Sequence, residues 1–236
     1  MKNVGIVMSA GKGLRIGGNI PKQYMELCDK PVLYYCLKAM EDSFIDEIII
    51  VTGEGDEEYV KTEIVDKYSI SKVTAIVPGG AERSDSVYRG LCAVTGPETS
   101  YVYIHDGARP MLTVDLLNRV RDDLIKTGAC VTAVNSKDTV KIINNEGYVV
   151  NTPDRKNVWS VQTPQAFLCS ELLEAYDRFI QDDVVKVTDD AMVMELYGNR
   201  PVHVCEGDYT NIKITTSEDF LTAKNFLKKL KIVVDR

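Results

Sequence analysis

Two cations, Lys12 and Arg15, stand among glycines in Ser9-Ala10-Gly11-Lys12-Gly13-Leu14-Arg15, and a third, Lys22, follows in Pro21-Lys22-Gln23. Bare backbone amides with Lys and Arg around them can surround a polyphosphate. Glycine suits such a loop because a side chain there would hold the phosphate off the amides. The cations suit it because charge that builds up during phosphoryl or nucleotidyl transfer must be neutralised in place. The bland alternative is a structural strand-to-helix turn, against which the three cations weigh.

The elements that must hold this loop are legible as an alternation of apolar runs and helical patterns. Strands are expected at Val4–Met8, Glu47–Thr52, Lys72–Val77, Tyr101–His105, Ala129–Asn135, Val202–Glu206 and Asn211–Thr215. Helices are expected at Pro31–Met40, Glu57–Lys67, Ser84–Val94, Val114–Thr127, Ser170–Gln181, Asp189–Leu196 and Ser217–Leu230. Unbroken runs such as Ile48-Ile49-Ile50-Val51 suit strands covered on both faces. Strands separated by helices imply an α/β fold with a mostly parallel, twisted sheet of Rossmann-like type flanked by helices. Such sheets bind ligands at the carboxyl ends of their strands. The glycine loop, Thr52-Gly53, Pro78-Gly79-Gly80 and Asp106-Gly107 all follow strands and should share one rim.

The chain has 236 residues and is read as a single domain, 1–236. A hydrophobic share of 44% and a charged share of 27% are those of an ordinary water-soluble protein. No stretch approaches the roughly 20 apolar residues of a membrane span. Met1-Lys2-Asn3 leads straight into a strand, so no signal peptide is expected and the cytoplasm is the expected location. Cys28, Cys36, Cys92, Cys130, Cys169 and Cys205 are scattered without a C-x-x-C pair, which argues against a zinc site or a disulfide framework. The net charge of −7 disfavours nucleic acid as a partner, so cations for an anionic ligand must be focused locally.

One stretch breaks the alternation. Lys137–Thr152 is interrupted by Asn144-Asn145-Glu146-Gly147, a turn signal. Val140, Ile142 and Tyr148-Val149-Val150 would make a protruding two-stranded β-arm, spanning 137–155 with its flanks. A lone hairpin is marginal in water. Its apolar face needs cover, from a second copy of the chain in a homodimer or from the arm's own domain.

Known glycine loops narrow the chemistry. A P-loop needs Gly-Lys followed by Ser or Thr, which is absent here. A dinucleotide fingerprint needs a third glycine where Ile16 sits, and the next strand ends near Thr52, well beyond the spacing of about 20 residues at which an acid should follow. A nucleotidyltransferase loop is the third reading. Ser9-Ala10-Gly11-Lys12-Gly13-Leu14-Arg15-Ile16-Gly17 with Pro21-Lys22-Gln23-Tyr24 resembles the signature of the sugar-nucleotide-type nucleotidyltransferases. More narrowly, it resembles the 2-C-methyl-D-erythritol 4-phosphate cytidylyltransferase family of the non-mevalonate isoprenoid route. Pro78-Gly79-Gly80-Ala81-Glu82-Arg83-Ser84-Asp85-Ser86-Val87 and His105-Asp106-Gly107-Ala108-Arg109-Pro110 match that family's second and third loops. Lys137-Asp138-Thr139-Val140-Lys141, Thr152-Pro153-Asp154-Arg155, Gln162-Thr163-Pro164-Gln165-Ala166-Phe167, Thr188-Asp189-Asp190-Ala191 and Asn211-Ile212-Lys213-Ile214-Thr215 follow in order. The resemblance covers nearly the whole chain.

The resemblance implies that a polyol phosphate attacks the α-phosphorus of CTP and pyrophosphate leaves, by positioning and charge neutralisation without a covalent enzyme intermediate. It implies that Arg15, Lys22, Lys213 and Arg155 are catalytic. Ala10, Gly11, Lys12, Gly13, Gly79, Gly80, Ser86 and Asp106 would bind the nucleotide. Backbone groups at Gly79 and Gly80 can read a small pyrimidine, although a plain glycine turn is the alternative. Asp85 could be helix-start chemistry alone. Ala81 stands where the family often has an acid, so a contact from that side chain is lost or supplied elsewhere. Asp106 is the expected Mg²⁺ ligand, since magnesium takes few carboxylates alongside phosphate oxygens and water. Thr139 and Arg155, at the two ends of the arm, would grip the acceptor phosphate from a neighbouring subunit. Lys213 would meet the α-phosphate and the incoming phosphate. Thr163 and Thr188 are candidates for acceptor contacts or for turn and capping roles. Arg109 either touches substrate or braces its loop. His105 is read as a packed rim residue rather than a base, because an attacking phosphate is already ionised, and His203 as a structural strand residue.

Ribitol-5-phosphate cytidylyltransferases share the fold, the loop and the cations, and differ in the acceptor. Thr152-Pro153-Asp154-Arg155 and Trp159 look more like the methylerythritol enzymes. A nucleotide-sensing scaffold should lack one of Arg15, Lys22 or Lys213, and none is missing. A glycosyltransferase would need a D-x-D motif in a suitable loop, which is absent.

Overall fold

The Ile48-Ile49-Ile50-Val51 run is buried along its whole length, so the sheet that contains it is covered on both faces. The computed structural model describes residues 1–11, 20–182 and 186–229. Along it run β1 (Lys2–Ser9), β2 (Glu26–Leu27), β3 (Lys30–Pro31), α1 (Val32–Glu41), β4 (Glu47–Thr52) and α2 (Glu57–Tyr59), which continues as a π-helix over Val60–Asp66. Then come β5 (Val73–Pro78), α3 (Arg83–Cys92), β6 (Ser100–Asp106), α4 (Val114–Thr127), β7 (Ala129–Asn135), β8 (Ile142–Ile143) and β9 (Val149–Asn151). β10 (Trp159–Leu168), α5 (Cys169–Phe179), α6 (Asp190–Tyr197), β11 (His203–Glu206) and α7 (Ser217–Lys229) follow among the described residues.

Among the described residues, seven strands form one sheet in the order β11-β7-β10-β6-β1-β4-β5. β1 runs parallel to β4 and β6, β5 to β4, and β11 to β7. β10 is antiparallel to both β6 and β7. Leu33, Leu37 and Met40 of α1 and Val120 and Leu124 of α4 belong to one buried cluster. Val87 and Leu91 of α3, Leu172 and Tyr176 of α5 and Val193 and Met194 of α6 belong to another. A mostly parallel sheet sandwiched by helices is therefore the architecture that the alternation implied.

Two details differ from the sequence reading. Asn211–Thr215 is not a strand. It is an extended strap whose Ile214 N–H donates to Ala108 O at 2.8 Å and whose Asn211 N–H donates to Asp208 O at 2.9 Å. Its hydrogen bonds go to loops, so its apolar alternation reflects Ile214 reaching the α1–α7 cluster, not sheet pairing. The central antiparallel β10 was not expected. Gln162-Thr163-Pro164-Gln165 is polar and carries a proline, and β10 shifts register against β7 between Val161 and Gln165. A bulge of this kind is where a strand tolerates proline.

Caps place the helix ends. Thr113 Oγ1 accepts from Leu116 N–H at 3.1 Å at the start of α4, and Gly128 closes that helix at φ 78°, a conformation that favours glycine. The arm forms as β8 against β9. Gly147 turns it at φ 88°, and Asn144 Oδ1 accepts from Tyr148 N–H at 2.9 Å. Every residue from 137 to 152 is exposed.

Candidate active site

Strand register alone puts the predicted loops on one rim. Ser9 lies beside Thr52, Thr52 beside Pro78, and Met8 beside Asp106. These are the carboxyl ends of β1, β4, β5 and β6. The cavity that opens there has a volume of about 620 Å³. Ala10, Gly11, Lys22, Gly80, Ser86, Asp106 and Lys213, all expected in the site, line it. Lys12, Gly13 and Arg15 lie outside the described residues.

The loop after β5 is built to be tight. A Cβ on Gly79 would come within 2.5 Å of Ala10 Cβ and 2.8 Å of Ser86 Oγ, and one on Gly80 within 2.3 Å of Asp85 Cβ. The Gly80 N–H donates to Ser86 Oγ at 3.0 Å, and that hydroxyl donates to Glu82 O at 3.0 Å. Glu82 and Asp85 form a capping box at the start of α3. Asp85 thus serves the helix start, leaving backbone to face the cavity between Ala10 and Gly80.

Lys22 begins a short 3-10 turn whose next two side chains are buried anchors. The Gln23 amide donates to Ser9 O at 2.7 Å and Gly11 O at 3.0 Å. The Tyr24 hydroxyl donates to Asp56 at 3.1 Å. The two anchors fix the backbone that carries the cation.

Asp106 is the electrostatic centre. Its Oδ2 lies 3.0 Å from Lys213 Nζ and 3.4 Å from Arg109 Nε, and its Oδ1 lies 3.8 Å from Arg83 Nε. Burial pushes its carboxyl up, but Lys213, Arg83 and Arg109 together outweigh burial and hold it well below the usual carboxylate range. Arg109 is a brace: it is buried, and its Nη1 donates to Asn211 O at 2.7 Å, tying the β6 loop to the Lys213 strap. Burial lowers its pKa while Asp106 raises it. Thr163 does not line the cavity. Its hydroxyl oxygen accepts from Asp106 N–H at 3.1 Å and donates to His105 Nδ1, 3.0 Å away. His105 Nε2–H then donates to Arg109 O at 3.2 Å, which assigns the neutral tautomer. Burial drives the His105 pKa down to about 4, and both ring nitrogens are engaged inside the protein, so the imidazole stays neutral and hydrogen-bonded.

Among the described residues no three metal-ligating side chains cluster. Asp106 offers one hard oxygen, Oδ1, which lies 3.8 Å from Arg83 Nε, beyond hydrogen-bonding distance. That donor set fits a magnesium ion held mainly by phosphate oxygens and water.

The remaining predicted residues stand elsewhere. Thr139 and Arg155 do not line this chain's cavity; Arg155 Nη1 donates to Lys137 O at 3.3 Å within the exposed arm. Thr188 is exposed just before α6, its hydroxyl 3.7 Å from Met192 Sδ. Sequence reasoning passed over Gln23, Arg83 and Asp190. Each lay inside a quoted motif, yet nothing local marks a Gln or an Asp as an anchor for a distant partner.

A cavity of about 620 Å³ at the carboxyl rim of a mostly parallel sheet, lined by lysines from two separate segments and by one aspartate that pairs with Lys213, is the site of a nucleotidyltransferase. The family model of 2-C-methyl-D-erythritol 4-phosphate cytidylyltransferase matches residues 4–229. The chain is 46% identical over 228 residues to the protein of that name from Lachnoclostridium phytofermentans, covering 97% of each. It is 47% identical to the one from Lachnospira eligens, covering 96% of this chain and 99% of that protein. The crystal structure of the 4-diphosphocytidyl-2C-methyl-D-erythritol synthase of Anaerococcus prevotii superposes with a TM-score of 0.85 at 37% identity, covering 96% of this chain and 98% of the other. The chain belongs to the 2-C-methyl-D-erythritol 4-phosphate cytidylyltransferase family.

Proposed function

We propose that the enzyme joins CTP to 2-C-methyl-D-erythritol 4-phosphate, giving 4-diphosphocytidyl-2-C-methyl-D-erythritol and pyrophosphate. An acceptor phosphate oxygen forms a bond to the α-phosphorus of CTP. The bond from that phosphorus to the α–β bridging oxygen breaks, and its electron pair leaves with pyrophosphate. The observation that carries this reading is the shared cavity of Lys22, Lys213 and Asp106.

The cytosine fits the tight backbone between Ala10, Gly80 and Ser86. Lys22, with Arg15, Lys12 and the amides of Gly11 and Gly13, receives the β- and γ-phosphates and stabilises the charge that develops as pyrophosphate departs. Lys213 holds the α-phosphate and the incoming phosphate in line. Its pairing with Asp106 fixes its direction before substrate arrives. No base is needed, in keeping with a neutral, hydrogen-bonded His105. Asp106 Oδ1 would help hold Mg²⁺, which supplies neutralisation of the triphosphate oxygens.

Thr139 and Arg155 act on the acceptor from a second copy of the chain, and Thr188, exposed just before α6 and outside the lining of the CTP cavity, contacts the acceptor as well. Two observations support this. Neither arm residue lines the cavity of its own chain, and the arm presents exposed Ile142, Ile143, Tyr148, Val149 and Val150, with Tyr148 at 73% and Val150 at 60% exposure. A homodimer buries that face. Four buried free thiols suit the reducing cytoplasm as the site of the reaction.

The test is pyrophosphate release with CTP and a panel of acceptors. Turnover with 2-C-methyl-D-erythritol 4-phosphate should exceed that with ribitol 5-phosphate. The reverse order would reassign the acceptor.

A further inference from the structure

One cation of the cavity wall has no part in the scheme above. Arg83 is the first residue of α3, three positions beyond Gly80 of the Gly79-Gly80 turn. Its Nη1 lies 2.9 Å from Asp190 Oδ1 and its Nη2 2.7 Å from Asp190 Oδ2, a two-pronged pair across 107 residues of sequence. Its remaining nitrogen, Nε, faces Asp106. Asp190 is the first residue of α6, two positions beyond Thr188, and its side chain is 0% exposed.

Asp190 is itself held in place. The Tyr176 hydroxyl donates to its Oδ1 at 2.7 Å. Gln165 Oε1, on β10, accepts from the Asp190 and Ala191 N–H groups at 3.1 and 3.0 Å. A guanidinium in a planar fork on a fixed carboxylate has one orientation, which a lysine ammonium could not reproduce. Arg83 is also 30% exposed and is one of the residues that line the cavity. A pair that served packing alone would have no reason to present one partner to the site, aimed at its central carboxylate.

We propose that Arg83 is a positioning residue: clasped by Asp190, it orients Asp106 and locks the nucleotide loop after β5 to the start of α6, so that filling one substrate site tightens the other. The inference rests on the reading that the Thr188 side receives the acceptor. Coupling of this kind is reciprocal and is measured as a ratio of affinities.

CMP lacks the leaving pyrophosphate and cannot react, so both ligands can be held on the enzyme together. The affinity for 2-C-methyl-D-erythritol 4-phosphate is measured by calorimetry on the full chain, with and without saturating CMP, and thermal unfolding is followed in parallel. In the unaltered protein CMP should tighten acceptor binding by about 5- to 20-fold. Arg83→Met and Asp190→Asn should bring the ratio to about one, and combining them should lose nothing more. Arg83→Lys keeps the charge and should not restore the ratio. Tyr176→Phe removes one bond to Asp190 without touching the cavity; it keeps the fold and should lower the ratio partway, so the proposal stays testable if Asp190→Asn does not fold. A merely structural pair would shift the unfolding temperature and leave the ratio intact, which overturns the proposal. A ratio near one in the unaltered protein with both ligands bound overturns it as well. CMP binding with no acceptor binding at all would instead remove the acceptor reading, and the clasp with it.

Discussion

Lys213 Nζ lies 3.0 Å from Asp106 Oδ2, although the lysine sits on an unpaired strap and the aspartate at the end of the central strand β6. The strap is fixed at both sides of the lysine, by Arg109 on Asn211 O and by Ala108 O on Ile214 N–H. Arg83, Arg109 and Lys213 face two carboxylates, Asp106 and Asp190, and Lys22 adds to the positive side. The described lining of the cavity carries Lys22, Arg83 and Lys213 against Glu82 and Asp106, a positive excess before a triphosphate enters, inside a protein whose net charge is −7. Local focusing of this kind attracts an anionic substrate against the overall sign.

Lys22→Ala and Lys213→Ala should each lower kcat by about 10²-fold or more, the usual consequence of removing preorganised charge from a transition state. CTP affinity should change less than kcat. Steady-state kinetics with separate measurement of CTP binding decides it. A near-normal kcat in either variant removes that lysine from the chemistry.

His105 gives a pH signature. Its folded pKa lies near 4 because burial disfavours the imidazolium, whereas an unfolded histidine titrates near 6.5. The folded value is depressed, so the unfolded chain binds the proton first as pH falls. The resulting stability is fully present above about pH 6.5 and is lost progressively down to about pH 4. By the slope of about 1.4 kcal/mol per pH unit, the loss amounts to at most about 3 kcal/mol. His105→Gln keeps a donor for Arg109 O and removes the titration. Its stability measured by denaturant unfolding should fall less steeply over this range than that of the unaltered protein. Equal slopes would show that His105 does not govern acid stability.

Thr163→Val should act through Asp106. The hydroxyl serves two buried groups, the Asp106 N–H and His105 Nδ1, and valine leaves both unpaired. Each such loss costs about 1–3 kcal/mol, so the unfolding midpoint should fall clearly. kcat should fall as well, because the Asp106 backbone is no longer fixed. Thr163→Ser keeps both bonds and should recover activity. Failure of serine to recover it would show that the two hydroxyl bonds are not what holds Asp106 in its working position.

Most of the frame was legible because parallel strands bury both faces and so leave continuous apolar runs. The four rim loops followed from where those runs end. β10 was hidden because its central residues, Gln162, Thr163 and Gln165, point polar groups at other polar groups inside the protein: Gln162 to Asp208 O, Gln165 to Asp189. Burial satisfied by distant partners leaves no period in a sequence. Asn211–Thr215 misled for the opposite reason, since Ile212 and Ile214 alternate with polar residues as in a strand, yet both pack on the α1–α7 cluster and the segment pairs with no strand among the described residues. Lys22, Asp106 and Lys213 were legible through the resemblance. The pairing of Arg83 with Asp190 was not, because nothing in either neighbourhood specifies a partner 107 residues away.

The arm supplies the remaining prediction. Ile143 and Val150 are exposed at 58% and 60% on a hairpin whose other residues are exposed too. A charge placed there costs the isolated chain almost nothing, since surface changes away from special features fall within about 0.5 kcal/mol. At an interface between two copies the same charge would be desolvated and unpaired, which costs far more. Ile143→Lys with Val150→Asp set apart in separate variants should therefore leave CTP binding nearly intact while shifting the mass in solution from dimer to monomer. Acceptor KM should rise with dissociation, because Thr139 and Arg155 would no longer reach a neighbour's cavity. Arg155→Ala should raise acceptor KM to a similar degree without dissociating the dimer. Light scattering and acceptor kinetics on the same samples separate the two effects. A monomer with unchanged acceptor KM would show that the arm serves assembly alone, and an unaltered protein that is already monomeric would show that its apolar face covers no second copy.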